Sequence, residues 1–169
     1  MKVAGVFLAV ALALALQMTL ARYAMRASSS VDLVLVVVVY VALTSGATTG
    51  LLSGAFAGLV QDAMVSPVIG IGGLSKTLVG FLAGAIGTQF IVAQPVPRFV
   101  VFFAATALHA VVFMGLYVLL ELRHFGSPVA AVAGQALGNA IVGVVAFQVV
   151  EALPGAIERR RLTRTRRRG

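Results

Sequence analysis

Four glycines, Gly46, Gly50, Gly54 and Gly58, recur at every fourth position inside an apolar run. On an α-helix that spacing lays down a bare stripe, drifting slowly around the axis, along which another backbone can come close. Each glycine costs about 1 kcal/mol of helix propensity relative to alanine. A helix facing only lipid gains nothing for that cost, so the stripe predicts tight packing on a neighbour. It ends at Asp62. A turn built on Pro67, Gly70, Gly72 and Gly73 then leads to Lys76. An acid and a base thus flank one loop between two apolar segments.

The rest of the chain fixes the surroundings of that stripe. Of 169 residues, 60% are hydrophobic and 11% charged, and the mean hydropathy is +1.06. A soluble domain of this length cannot hide so much apolar surface. Successive apolar runs of about 20 residues predict an all-α, polytopic membrane bundle. It occupies residues 1–155 as a single domain, followed by a basic tail, 156–169. Cysteine is absent, which excludes disulfides and thiolate metal sites and leaves the redox compartment unread.

Six transmembrane helices are expected. The first runs from Val3 to about Ala21; its charged start and small-residue end also fit a secretory signal, but the run is longer than a signal core. The second is capped by Ser30 or Asp32 and continues through the valines to about Thr44. Thr44-Ser45-Gly46 predicts a break, and the third helix carries the glycine stripe to about Asp62. Without that break, Val31–Val60 is one bent helix and the chain has five passes. Thirty helical residues would span about 45 Å against a hydrocarbon core of about 30 Å, so two short helices are preferred. The fourth runs from Leu74 to Val92, with Gly80, Gly84 and Gly87 as a second small-residue face. The fifth runs from Arg98 to Leu122, after the rigid Gln94–Pro97 connection. The sixth starts at Ser127-Pro128 and ends before Pro154-Gly155.

Charge sets the orientation. Six passes put Lys2, Arg98 and the seven arginines of the tail on one side, nine basic residues against four. Both termini are therefore expected in the cytoplasm. The order depends on the tail, because without it the count is two against four, and a five-pass map scores ten against three. The tail arginines are Arg159, Arg160, Arg161, Arg164, Arg166, Arg167 and Arg168. They are read as a juxtamembrane block that meets anionic lipid or an acidic protein partner. No aromatic residues interleave them, which argues against nucleic acid.

Polar groups within the apolar segments are few. Asp62 and Lys76 are expected to form an ion pair that clamps their loop; a ligand site and two solvated charges are the other readings. The run G-I-G-G-L-S-K-T has a phosphate-loop look, but Ser75 stands where glycine must precede the lysine, and no strand precedes the loop. His109 and Asn139 lie 16 and 14 residues from Phe125, so an antiparallel hairpin brings them to similar depth, with Gln135 one turn from Asn139. An interhelical polar contact among the three is the ordinary reading, and a transport or ligand role the alternative. One histidine without acidic neighbours is a poor proton relay and a poorer metal site. No triad and no carboxylate pair shares a predicted face, so neither catalysis, a metal nor a cofactor is expected.

G-x-x-x-G-L-x-x-D at Gly54–Asp62, then a glycine loop, then L-x-x-T-L-x-G-F-L-x-G at Leu74–Gly84 resemble the MreD family of rod shape-determining proteins. The small size, the apolar first helix and the basic-to-acidic connection from Arg26 to Asp32 agree. The motif content sits in about 40 residues, while the layout covers nearly the whole chain. The long arginine tail and the scarcity of aromatic residues depart from the family pattern. The resemblance implies a non-enzymatic inner-membrane subunit of the bacterial elongation machinery. It also implies a single-pass partner, MreC, and links to the actin-like MreB filament and to the wall synthases RodA and penicillin-binding protein 2. It further implies an architecture similar to the substrate-binding subunits of energy-coupling-factor transporters, whose function, binding a vitamin-type small molecule, is the alternative reading. On this basis Gly46, Gly50, Gly54 and Gly58, with Gly80 and Gly84, are expected to receive the partner's membrane helix.

Overall fold

The computed structural model describes residues 3–23, 31–90, 94–122, 126 and 128–166, with side chains over 4–20, 31–90, 94–122, 126 and 128–152. It is all-helical over these residues. The helices are α1 Val3–Tyr23, α2 Leu33–Ser45, α3 Ala47–Val65, α4 Ile71–Gln89, α5 Pro95–Leu119 and α6 Val129–Arg166. Three segments are long and apolar enough to cross a membrane, Ile71–Gln89, Pro95–Leu119 and Val129–Ala152, and two shorter apolar helices accompany them.

The predicted break between the second and third helices is present and is one residue wide. Gly46 has φ +90°, a backbone setting that side-chain-bearing residues rarely adopt, and it serves both as the end of α2 and the start of α3. The two helices fold back on each other: a Cβ at Gly50 would lie 2.7 Å from the Ala42 Cβ. One end of the bundle therefore carries the start of α2, α4 and α6 and the end of α1, α3 and α5.

α2 is the centre of the molecule. Val34, Leu35, Val38, Val39, Val41 and Ala42 are all buried, and they belong to two apolar clusters on different sides of the helix. α1 and Ala57 of α3 close one side; α4, α5 and α6 close the other. A helix apolar all round is one that other helices surround, which is why a run of valines serves here. α2 has 13 residues, about 20 Å of helix, well short of a hydrocarbon core of about 30 Å. Its first turn meets Gln17 of α1 and Asn139 of α6, residues well inside those helices, so it sits below the ends of its neighbours.

The glycine stripe packs inside the chain. A Cβ at Gly50 would fall on the carbonyl of Gly80, and one at Gly54 on the carbonyl of Lys76. At Gly58 it would lie 2.6 Å from the Cα of Gly73, and at Gly84 2.5 Å from the Cα of Ala47. α3 and α4 thus meet backbone to backbone. The expectation that Gly46, Gly50, Gly54, Gly58, Gly80 and Gly84 receive a partner's helix is corrected: the neighbour on the stripe is the chain's own α4. The short α3–α4 loop makes an antiparallel hairpin, and the small faces of both helices lie at matching heights along it.

Boundaries of α4, α5 and α6 also differ, and α4 begins at Ile71 instead of Leu74. α5 begins at Pro95, with the prolines in its first turn, where a missing N–H costs no hydrogen bond. α6 runs on through Pro154 and Gly155 to Arg166 instead of ending before them. A proline removes one intrahelical bond without ending a helix when the turns on either side hold. Arg159, Arg160, Arg161, Arg164 and Arg166 fall on this last stretch. Arg167 and Arg168, like Arg26 and Ser30, lie outside the described residues.

Candidate functional site

The buried start of α2 must satisfy backbone N–H groups that have no partner within the helix. Three helices contribute. Asp32, the N-cap, accepts from the Leu35 N–H at 3.0 Å. The Asp32 N–H donates to Asn139 Oδ1 of α6 at 2.8 Å, and the Val34 N–H to Gln17 Oε1 of α1 at 3.2 Å. Asn139 Nδ2 in turn donates to Thr106 Oγ1 of α5 at 3.1 Å, and the Thr106 hydroxyl donates to the Phe102 carbonyl at 2.9 Å. Asn139 is thus consumed twice, by a helix start and by a neighbouring helix.

The second oxygen of Asp32 takes a cation. Lys76 Nζ lies 2.9 Å from Asp32 Oδ2, and the two residues are 3% and 5% exposed. Isolated charges at such depth would be prohibitive, and pairing with further hydrogen bonds is what makes them tolerable. The expected pair of Asp62 with Lys76 is therefore corrected. Asp62 Oδ2 accepts instead from the N–H groups of Gly70, Gly72 and Gly73, at 2.8, 2.9 and 3.1 Å. It caps α4 from the end of α3, where a negative charge meets the positive end of the helix dipole. A Cβ at Gly72 would strike Asp62 Oδ1, so the loop glycine makes room for the carboxylate. Lys76 lies more than a turn further along α4, facing α2. The amides that a phosphate would need here are thus already taken by Asp62.

Above this ion pair lies a cavity of about 760 Å³. Its wall includes Gln17 of α1, Gln61 and Asp62 of α3, Lys76 of α4, His109, Phe113 and Tyr117 of α5, and Gln135 of α6, with Asp32 also lining it. It exists because α2 starts late: the neighbours continue past its first turn and flank the space it leaves. Ser66 in the α3–α4 loop meets the Tyr117 hydroxyl at 3.2 Å.

His109 does not reach Asn139. Its Nε2 is 4.0 Å from Asp32 Oδ2, beyond hydrogen-bond length, and its ring lies 5.7 Å from that of Phe113. Among the described residues, two buried polar side-chain atoms lack a hydrogen-bond partner, His109 Nδ1 and Gln61 Oε1; both residues belong to the wall of the cavity. Of the expected trio, Asn139 makes the interhelical contact, through Thr106, while His109 and Gln135 face the cavity. Asp32, marked in the sequence only as a cap, carries the ion pair, and Gln17 and Gln61, which no motif marks, join the cavity wall. Polar residues at the same end of successive apolar segments were the available signal.

The opposite end is held differently. Arg98 Nη1 donates to Glu151 Oε2 at 2.9 Å, and Nη2 donates to Oε1. The guanidinium lies over the Phe147 ring, 4.3 Å from its centre. Among the described residues no group of three His, Asp or Glu side chains is placed to hold a metal ion.

A family model described as rod shape-determining protein MreD matches residues 1–153. No curated protein and no solved structure matches the chain.

Proposed function

The chain belongs to the MreD family of rod shape-determining proteins, and from that membership we propose that it is a non-enzymatic scaffold subunit of the elongation machinery in the bacterial inner membrane. In this reading all six helices cross the membrane and both termini lie in the cytoplasm. The arginine tail then meets the anionic leaflet. The partner is an MreC-type single-pass protein; MreB lies on the cytoplasmic side, and RodA and penicillin-binding protein 2 are the synthases served.

One observation carries the docking part. With the glycine stripe used up inside the bundle, a small-residue cleft of about 300 Å³ remains between α5 and α6. Ala107 and Val111 line one side, and Val132, Ala133 and Ala136 the other. Small side chains let a further helix approach closely in lipid, and the partner brings one membrane helix. Ala107→Leu and Ala133→Leu fill this cleft. Each should cut co-purification of the MreC-type partner about tenfold, a loss of about 1.4 kcal/mol, while the subunit still inserts. Undiminished co-purification rejects the cleft as the docking face.

The cavity at the start of α2 favours a second reading, a substrate-binding membrane subunit of a small-molecule transporter with an architecture like that of the energy-coupling-factor systems. Thermal-shift assays with a vitamin panel separate the two. Stabilisation by one vitamin, with no effect of cleft filling, supports the transporter.

A further inference from the structure

We propose that the cavity at the start of α2 binds an organic ammonium ion, seated on the aromatic face of α5 and drawn in by the charge of Asp62. The inference rests on neither reading above. It concerns the cavity and not the α5–α6 cleft, and an ammonium can arrive on a free solute or on a lipid headgroup.

A row of rings lines one side of the cavity. His109, Phe113 and Tyr117 stand four residues apart on α5, so they share one face of the helix. Their rings follow one another at 5.7 and 4.8 Å between centres, and all three residues belong to the cavity wall. Phe113, in the middle of the row, is only partly buried. The face of such a ring carries negative charge density, which attracts a cation and repels an anion.

Asp62 stands at the same depth as Phe113. α3 and α5 finish at the same end of the bundle, where Ser66 Oγ meets the Tyr117 hydroxyl at 3.2 Å. One turn back along α3 is Asp62, whose carbonyl accepts from the Ser66 N–H at 2.8 Å. One turn back along α5 is Phe113. The two residues thus belong to different walls of one space.

The charges of the wall select the sign of the guest. Lys76 is matched by Asp32 at 2.9 Å. Asp62 accepts from three backbone N–H groups, but among the described residues no cationic side chain pairs with it. A helix start supplies only about half an elementary charge. With histidine counted as neutral, the described wall therefore keeps a net negative charge. Such a charge acts over several ångströms where water is scarce, so a cation on the Phe113 ring gains from it without touching the carboxylate oxygens. A small metal ion needs a shell of oxygen ligands, whereas an ammonium with carbon substituents is satisfied by rings. The volume of about 760 Å³ admits a compact organic cation.

The test uses the full chain in dodecyl maltoside micelles, which bring neither charge nor ammonium. Saturation-transfer NMR reads the methyl protons of tetramethylammonium beside those of neopentyl alcohol, a neutral probe of nearly the same shape. The cation should show saturable transfer with a half-saturation of about 1–10 mM, and the alcohol about tenfold less transfer at equal concentration. Phe113→Leu should raise the half-saturation about fivefold. Asp62→Asn, which keeps an acceptor for the start of α4, should raise it about tenfold; if that variant fails to insert, Phe113→Leu decides. Nanodiscs then separate the sources. A cation signal lost in phosphatidylethanolamine but kept in phosphatidylglycerol assigns the site to a lipid headgroup, and equal signals in both assign it to a free solute. A parent chain that shows no saturable transfer overturns the proposal. Equal transfer to the two probes overturns it as well, as does a half-saturation that Phe113→Leu leaves unchanged.

Discussion

Lys76 and Asp32 form an ion pair 2.9 Å long with almost no contact with solvent, and it joins the second turn of α4 to the N-cap of the central helix. The pair is the floor of the cavity and the counterweight to a helix start sunk inside the bundle. Its worth lies less in attraction than in the cost of breaking it, since either charge alone would be stranded.

Lys76→Met should therefore destabilise the protein by about 3–5 kcal/mol. Removing the partner charge as well, in Asp32→Asn with Lys76→Met, should recover most of that loss, because Asn still caps α2. Unfolding in detergent micelles, arranged as a double-mutant cycle, measures the coupling. Single losses that simply add would show that the two charges act independently.

Gly54→Ala should lower stability by about 1–3 kcal/mol, because its Cβ would fall on the Lys76 carbonyl and force α3 from α4. Gly115→Ala is the control: nothing lies within 4 Å of a Cβ there, and the change should be neutral or slightly stabilising through helix propensity. Thermal melting of the two variants beside the parent decides. Equal melting temperatures would remove the close α3–α4 contact from the account of stability.

Asp62→Ala should cost about 1–2 kcal/mol as a lost helix cap with a charge at the positive end of the dipole. The damage should be local. Hydrogen exchange should accelerate at the amides of Gly70, Gly72 and Gly73 and leave the centre of α2 unchanged. Asp62→Asn, which keeps an acceptor, should fall between. Uniform acceleration across the bundle would mean that Asp62 supports the whole fold and not one helix start.

Asn139→Leu should cost about 1–3 kcal/mol, since the Asp32 N–H loses its acceptor inside the bundle. Asn139→Asp restores the acceptor but not the donor to Thr106, and introduces a second carboxylate near Asp32. It should be no better than leucine. Unfolding midpoints in the same micelles give the order.

Much of the fold was legible because apolar length and small-residue spacing are local signals. The glycine interval predicted a close backbone neighbour, and the break at Gly46 followed from the length of helix a membrane tolerates. Which neighbour would fill the stripe was not legible: the interval on α3 says only that something small-faced must lie opposite. The pairing of Lys76 failed for a related reason. Asp62 is near it along the chain, whereas Asp32 is near it only because α2 starts deep, and that depth depends on all the helices around it. His109 and Asn139 were placed at one height by counting, but counting residues does not give rotation about the axis, so the contact fell to Thr106. The end of α6 was misplaced because Pro154-Gly155 is a local stop signal that the continuing helix overrides.

The late start of α2 also bears on how the chain is made. Asp32 leaves the ribosome before Lys76, Thr106 and Asn139 exist, so the helix it caps is made with its charge unanswered. Its valines present apolar surface on every side, so the later segments can close around it in whatever order they arrive. Until Lys76 is made, the Asp32 carboxylate lacks the cation that it meets in the folded chain, and burial of the central helix becomes a step that the fourth segment completes.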